Sequence, residues 1–167
     1  MAKPLLTDDR VREILAEPKA ITEAEYRSLS RKGRRKSNRA FTEMTLEFTS
    51  ESGAFRIHAQ RHVSNALQFA IQLMYIDPDG NEYRLLRHAG RSGPHTNELE
   101  RQERRADTRV GDRFRINRLT ERYQASQYEE DGYAESAGIQ FADFDSALRT
   151  LCEEAHITWP TQQGQLL

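Results

Sequence analysis

Apolar residues at helical spacing open the chain and predict two short helices. The first carries an apolar face, formed by Val11, Ile14 and Leu15. The second begins at Thr22 and Glu25, whose spacing matches the capping box that satisfies two backbone N–H groups at a helix start. Gly33 suits the position just after its last turn. We therefore predict a helical pair over residues 1–33.

In the middle of the chain the pattern changes to alternation between apolar and polar residues. Such alternation predicts strands with one buried face, here at Met44–Phe48 and Phe55–Ala59. Leu67–Ile76 is apolar at nearly every position, which predicts a central strand covered on both faces. The turn-forming residues Asp77–Asn81 separate it from a fourth strand, Glu82–His88. Four consecutive strands with short connections predict an antiparallel meander.

The remainder of the chain combines a weakly periodic part with one strong helix. Residues Arg91–Asp112 have little periodicity, which predicts a functional or mobile loop with room for a short helix within Glu98–Arg105. Asp143–Ala155 has a single apolar stripe and Asp143 as its cap. Shorter elements are predicted at three places: a strand at Arg113–Asn117, a helix from Thr120 and an extended segment at Gly132–Phe141.

Together these elements predict an α+β fold. An antiparallel sheet of four to six strands would carry the N-terminal helical pair and have the Asp143–Ala155 helix packed across one face. The 167 residues divide into the helical pair (1–33), a core domain (41–157) and a C-terminal tail (158–167). Cys152 is the only cysteine and lies in an apolar helical pattern, so it is predicted to fill the core.

The net charge of −1 conceals an uneven distribution of charge. From Glu129 onward, eight acidic residues and one arginine give −7, so the preceding part carries +6. A basic body can meet phosphate while an acidic part repels it, although the same distribution also suits plain solubility. Within the basic part, Arg31–Arg39 holds six positive charges in nine residues. This run is either a solvated linker or a phosphate-binding arm, contributed by Arg34, Arg35, Lys36 and Arg39.

Several classes of protein are disfavoured by signals that the sequence does not contain. No apolar run approaches the roughly 20 residues that span a bilayer, and no leader pattern opens the chain. We therefore expect a cytoplasmic protein without a membrane partner. Nucleotide-binding glycine loops and metal-ligand spacings such as CxxC are also missing, so we predict no cofactor and no metal.

Arginine is concentrated between Arg84 and Arg122, where 11 arginines are interleaved with aromatic residues. This composition is typical of nucleic-acid binding, in which arginines bind backbone phosphates and aromatic side chains stack on bases. The nearby acids, including Glu98 and Glu103, could instead pair with these arginines in a solvated surface. The predicted nucleic-acid contacts in this part of the chain are Arg87, Arg91, Arg115, Arg118, Arg122 and Tyr123.

Two histidines flank a Gly/Pro loop that can fold back on itself. His88 and His95 are seven residues apart, and Asn97 follows closely. One imidazole could take the proton of a ribose 2′-OH while a second acid protonates the leaving oxygen and an arginine stabilises the charged phosphate. The alternatives are a turn histidine that hydrogen-bonds its own loop and a satisfied histidine at a strand end.

In the order of its motifs the chain resembles an uncharacterised small prokaryotic family. The similarity covers Phe41–Ile157, and its most specific pieces are His95-Thr96-Asn97 and Thr120–Gln124 (TERYQ). That family pairs a loop His-x-Asn with a downstream His-x-His-x-x-Thr-Glu-Arg-Tyr. It is distantly similar to the TumE-like toxins of toxin–antitoxin modules, which are proposed to cleave RNA. The His-x-His position here reads Arg115-Ile116-Asn117, so the resemblance implies a site that keeps His95 and His88 without the downstream pair.

Three functions follow from these patterns and from the resemblance. The first is a toxin-like, metal-independent ribonuclease of a prokaryotic defence or mobile-element locus, which cleaves RNA with His95, His88, Asn97 and Glu121. The alternative is a non-catalytic module that binds nucleic acid or a nucleoprotein complex, for example a phage-encoded inhibitor of a host defence system. The third is a protein that binds a cognate protein partner through its acidic C-terminal part.

Overall fold

The computed structural model describes residues 2–36, 39–91, 93–111, 114–130 and 132–160. Within these ranges the chain forms five helices: α1 (Asp8–Ala16), α2 (Glu23–Arg27), α3 (Glu98–Gln102), α4 (Glu121–Gln124) and α5 (Phe144–Glu154). It also forms eleven strands: β1 (Lys19–Ala20), β2 (Ser30–Lys36), β3 (Arg39–Ser50), β4 (Gly53–His62), β5 (Phe69–Ile76), β6 (Glu82–Gly90), β7 (His95–Thr96), β8 (Arg109–Val110), β9 (Phe114–Arg118), β10 (Tyr133–Ser136) and β11 (Ile157–Thr158).

An antiparallel sheet of seven strands dominates the fold, in the order β10-β9-β6-β5-β4-β3-β2. Strands β2 to β6 form a continuous meander, and β9 then pairs with β6 while β10 pairs with β9. The predicted α+β class and the antiparallel meander are confirmed. The sheet is wider than the predicted four to six strands because β2 and β10 extend its two edges.

The N-terminal helices form where they are predicted, but the second one ends early. The Thr7 side chain accepts from the Arg10 N–H, and Thr22 and Glu25 form the predicted capping box. Glu25 also accepts a hydrogen bond from the Thr49 N–H, which fixes α2 beside β3. The prediction that the helix continues to Gly33 is wrong. Residues 30–36 pair with β3 over seven residue pairs, and this ladder outweighs the local helical signal.

Residues 31–36 and 39 of the basic run contribute backbone to the paired strands β2 and β3 at one edge of the sheet. A strand edge rich in positive charge disfavours pairing with other chains. The side chains of Arg34, Arg35, Lys36 and Arg39 lie outside the described residues, so their predicted contacts with phosphate stay a prediction.

One face of the sheet is buried under α5, and we call it the covered face. Its residues come from alternate positions of five strands: Met44, Leu46, Phe48, Phe55, Ile57, Ala59, Phe69, Ile71, Leu73, Tyr75, Tyr83, Leu86, His88, Phe114, Ile116 and Arg118. The predicted C-terminal helix is confirmed, since Phe144, Ala147, Leu148 and Leu151 are buried and Asp143 caps it. Cys152 is also buried there, and burial raises the pKa of its thiol to about 12.

The N-terminal segment packs on the same core. Val11, Ile14 and Ile21 belong to the hydrophobic cluster beneath the sheet. The short strand β1 pairs in parallel with β11, which joins residues near both ends of the described chain. Trp159 packs edge-on against Tyr26, with 6.2 Å between ring centroids. Residues 161–167 of the predicted tail lie outside the described residues.

The opposite face of the sheet carries polar side chains, and we call it the open face. It consists of Thr45, Glu47, Arg56, His58, Gln60, Gln72, Met74, Arg84, Arg87, Arg115 and Asn117. The prediction that β5 is covered on both faces is wrong. Burial alternates along the second half of β5, where Gln72 and Met74 are only partly buried. The apolar appearance of this strand comes from Ala70 and Met74, which occupy polar-face positions.

Candidate nucleic-acid interface

His88 lies inside the core, on the covered face. Its side chain is fully buried, its Nδ1–H donates to the Ala147 carbonyl of α5 (3.0 Å), and its ring stacks on Phe141. Burial lowers the pKa of this imidazole to about 4, against a smaller raising effect of the Ala147 hydrogen bond and Glu154. A nucleic acid on the surface does not reach this ring. The alternative of a satisfied histidine holds for Nδ1, whereas Nε2 has no hydrogen-bond partner among the described residues and lies 3.9 Å from the Glu154 carboxylate.

His95 lies in β7 of the two-stranded sheet that β7 forms with β8, where it pairs with Val110. Its Nε2 is 3.1 Å from the Gly132 carbonyl oxygen, just before β10. The ring is therefore partly buried and engaged with a neighbouring loop. His88 lies beneath α5 and His95 lies in β7. Each ring is hydrogen-bonded to a backbone carbonyl, and the two histidines do not bond to each other.

Asn97 is fully buried and completes the edge of the sheet. Its Nδ2 donates to the carbonyls of Asp107 and Ala134, and its Oδ1 accepts from the Ala134 N–H, each at 2.8 Å. The side-chain amide thus pairs with the free edge of β10 as another strand would. This accounts for Asn97 structurally, and it leaves the amide no free group with which to orient His95.

Replacing Asn97 with alanine is expected to destabilise the fold by about 2 kcal/mol. The change removes three hydrogen bonds and leaves both backbone groups of Ala134 buried without partners. The measurement is urea unfolding followed by circular dichroism. Asn65→Ala is the control, since that side chain makes one hydrogen bond at 3.2 Å in a surface turn. Equal stability of the two variants would contradict the role assigned to Asn97.

The TERYQ segment forms the start of α4 and holds three parts of the chain together. Thr120 caps the helix, and the Tyr123 hydroxyl donates to the buried Glu100 carboxylate at 2.6 Å. Gln124 pairs through its side-chain amide with both backbone groups of Leu6 (2.9 and 2.8 Å). Glu121 is exposed, and its N–H donates to Asp8. These hydrogen bonds give Thr120, Tyr123 and Gln124 of the TERYQ segment a structural role.

Two of the predicted phosphate-binding arginines are engaged in ion pairs. Arg122 pairs with Glu100 and Glu103, each at 2.7 Å. Arg118 lies on the covered face and pairs with Glu135 at 2.8 Å and with Glu154 of α5. The alternative of a salt-bridged surface is realised at these positions. Arg91 is exposed directly after β6.

Arg87 and Arg115 are placed differently, because both lie on the open face together with Arg84. We call these three residues the arginine cluster. Burial, together with the charges of Arg115 and Arg84, lowers the pKa of Arg87 to about 10. Burial and Arg84 also lower the pKa of Arg115. In the part of the chain that the structure describes, no carboxylate forms an ion pair with Arg87 or Arg115.

A β-bulge in β6 brings Arg84 into the cluster. Leu73 pairs with Leu86 and the next residue, Met74, pairs with Arg84, so Leu85 is the extra residue. Arg84 and Arg87 are three positions apart in the sequence, so in a regular strand their side chains would lie on opposite faces of the sheet. The bulge returns both to the open face. Sequence reasoning missed Arg84 because strand periodicity contains no signal for this irregularity.

Two acidic side chains of the open face pair with the remaining arginine of this face, Arg56. Arg56 on β4 bonds both Glu47 (2.9 Å) and Glu82 (3.0 Å), which neutralises it. His58 lies beside them, with its Nδ1 at 3.2 Å from the Thr45 hydroxyl. Among the described residues, Arg87 on β6 and Arg115 on β9 are therefore the open-face arginines that form no ion pair with a carboxylate.

Next to the arginine cluster lies a cleft of about 290 Å³. Gln72, Met74, Arg84 and Asn117 form its floor on the open face, and Leu119 extends it beyond β9. The loop after α4 forms one wall, and its Glu130 carbonyl accepts a hydrogen bond from Arg84. Two acidic residues at the rim are already bonded to cations: Glu82 to Arg56 and Glu129 to Lys3 (2.5 Å).

The described residues contain neither a cluster of metal ligands nor a membrane-spanning helix. Within those ranges, no three His, Cys, Asp or Glu side chains converge as a group that could hold a metal ion. None of the five helices there is long and apolar enough to cross a membrane.

Comparison with known proteins gives no match: no family model, no curated protein and no solved structure is significantly similar to the chain. The geometry of the open face is therefore the evidence that bears on function.

Proposed function

We propose that the protein binds the phosphate backbone of a nucleic acid through the arginine cluster on the open face. The observation that carries this proposal is the placement of three guanidinium groups on one surface, with Arg87 and Arg115 lacking a carboxylate partner among the described residues. Arginine presents five N–H donors in a planar fork that matches phosphate oxygens. A surface of this kind suits a ligand with several phosphates.

The energetics of the cluster favour an anionic ligand. Depression of the Arg87 pKa from 12.5 to about 10 means that burial and like charges make its cationic form less favourable than in water. Folding therefore brings the three arginines together at a cost in free energy. Phosphate groups that neutralise them offset this cost, and the released counterions add a salt-dependent term.

The geometry gives this binding role more support than the ribonuclease hypothesis. Acid–base cleavage needs two titrating groups beside the phosphate. His88 lies on the covered face, Asn97 is used by β10, and Glu121 belongs to α4, whereas the arginine cluster is on the open face. Cleavage of RNA and binding to a cognate protein partner stay predictions, and the first is checked in the experiment below.

Replacing Arg87 and Arg115 together with alanine is expected to weaken binding of a labelled single-stranded RNA roughly 30-fold or more at low salt, because charge-assisted hydrogen bonds are lost. The slope of log affinity against log salt should fall by about 1.4 if each arginine neutralises one phosphate. Fluorescence anisotropy over a salt series gives both quantities. A gel of the same RNA after incubation reveals any cleavage.

The matched control removes the same charge elsewhere. Arg12 and Arg101 are exposed and paired with Asp9 and Glu98, so the double alanine variant at these positions should keep the wild-type affinity and slope. The Arg87 and Arg115 variant should also melt close to wild type, since relief of repulsion offsets the loss of the Arg115 hydrogen bond to the Gly93 carbonyl (2.9 Å). Wild-type affinity and slope in that variant would overturn the proposal.

A further inference from the structure

We infer that the cleft beside the arginine cluster binds one unstacked nucleobase, so that the ligand of the open face is a single-stranded nucleic acid. This inference rests on the proposed function and names its ligand class. Phosphate contacts alone do not distinguish single strands from duplexes. The cleft distinguishes them, because it presents apolar and amide groups that can contact a base and that are not needed to bind phosphate.

The strand register places the two kinds of group side by side. Gln72 on β5 is opposite Arg87 on β6, which is opposite Asn117 on β9. Met74 is opposite Arg84 in the same way. Neighbouring strands are about 4.8 Å apart, so amide, thioether and guanidinium groups fall within the span of one nucleotide.

The lining of the cleft matches the two surfaces of a base. Met74 and Leu119 provide apolar contact for a flat ring, and a thioether adapts well to an aromatic surface. Gln72 provides a donor and an acceptor for the polar edge of the ring. Its side-chain amide forms no hydrogen bond within the described ranges, so both groups are available.

The charge of the rim selects the neutral part of a nucleotide. Glu82 and Glu129 border the cleft and are bonded to Arg56 and Lys3. Three acidic and three cationic residues line the cleft: Glu82, Glu129, Glu130, Lys3, Arg84 and Arg118. It therefore has no net positive charge to attract a second phosphate, whereas an uncharged base needs none. The phosphate then remains outside, at Arg87 and Arg115. The cleft therefore binds the base of a nucleotide, and the arginine cluster binds its phosphate.

A duplex does not offer such a base. Its bases are stacked on both sides and their pairing edges are occupied, whereas an unpaired base can be splayed out of a single strand. Hydrogen bonds to the polar edge of the base and apolar contact with its ring both add to affinity. Loss of the cleft contacts should therefore change affinity measurably.

The test compares three probes: a short single-stranded oligonucleotide, the same length of abasic sugar–phosphate strand, and the corresponding duplex. Combined replacement of Gln72 and Met74 with alanine should weaken the base-containing strand about 10-fold. It should leave the abasic strand unchanged. Gln60→Ala, on the open face outside the cleft, is the control and should match wild type with all three probes.

Four outcomes decide the inference. Selective weakening for the base-containing strand supports it. An equal effect on the abasic strand, or duplex binding as tight as single-strand binding, overturns it while the arginine cluster still binds phosphate. Displacement of the strand by an equal concentration of a free nucleoside monophosphate overturns it in favour of a free nucleotide. Failure of wild-type protein to bind any of the three probes instead overturns the proposed function itself.

Discussion

Replacing Lys19 with methionine is expected to lower the free energy of unfolding by about 3–5 kcal/mol, because it leaves several buried carbonyl groups without a donor. Lys19 is 1% exposed, and its Nζ donates to the carbonyls of Ile14 (2.6 Å), Glu17 (2.7 Å) and Ala155 (2.8 Å). These carbonyls end α1 and α5. The side chain therefore joins the C-termini of two helices that are far apart in sequence.

The charge of Lys19 suits this position. The C-terminal ends of helices carry partial negative charge, which favours a cation. The ammonium also lies 5.1 Å from the centre of the Phe55 ring, within the range of a cation–π contact. Burial lowers the pKa of Lys19 to about 8, and the nearby Glu17 carboxylate opposes that shift. The group is therefore still protonated at neutral pH, where the comparison should be made.

Thermal and urea unfolding at neutral pH measure the effect of Lys19→Met. A loss of this size in a chain of 167 residues should lower the melting temperature by roughly 10 °C. Lys32→Met is the matched control, since its ammonium is 4.0 Å from Glu43 and its side chain is 70% exposed. That variant should unfold within about 0.5 kcal/mol of wild type. A Lys19→Met protein as stable as this control would show that the buried charge costs as much as its hydrogen bonds contribute.

Elements with strong local signals could be predicted from the sequence. The apolar stripe of α5 and its Asp143 cap, the capping box of α2 and the Asp77 turn all depend on residues close to one another in the chain. Strand β2 could not be predicted in this way. Its pairing with β3 is a tertiary interaction, and the segment 30–36 has no apolar alternation of its own.

Only part of the candidate site could be predicted from the sequence, and there is a physical reason why the rest could not. Composition indicated that arginines near Arg87 and Arg115 bind phosphate, and these two lie on the open face. It could not separate them from Arg118 and Arg122, because only the fold determines which arginines meet carboxylates. Nor does a short sequence window show that His88 points toward α5 while Arg87, one residue earlier, points away from it. The proposed function depends on which face of the sheet a side chain occupies, and long-range packing sets that face.

His88 is expected to make the fold sensitive to acid. Its pKa is about 4 in the folded protein, because burial penalises the imidazolium, whereas the unfolded chain exposes a ring with the ordinary value of 6.5. As the pH falls below 6.5, the unfolded state gains a proton that the folded state does not hold. The fold therefore loses stability progressively down to about pH 4, by about 3 kcal/mol in total.

The variant His88→Gln isolates this contribution, since an amide can still donate to the Ala147 carbonyl but does not titrate. The measured quantity is the difference in unfolding free energy between neutral pH and about pH 4.5, and it should be smaller in the variant by about 2–3 kcal/mol. Carboxylates elsewhere contribute equally to both proteins and cancel. His156→Asn removes an exposed histidine at a positive φ of 54°, which asparagine tolerates, and should retain the wild-type acid dependence. If His88→Gln loses as much stability as wild type on acidification, the buried imidazole is not the group that couples folding to pH.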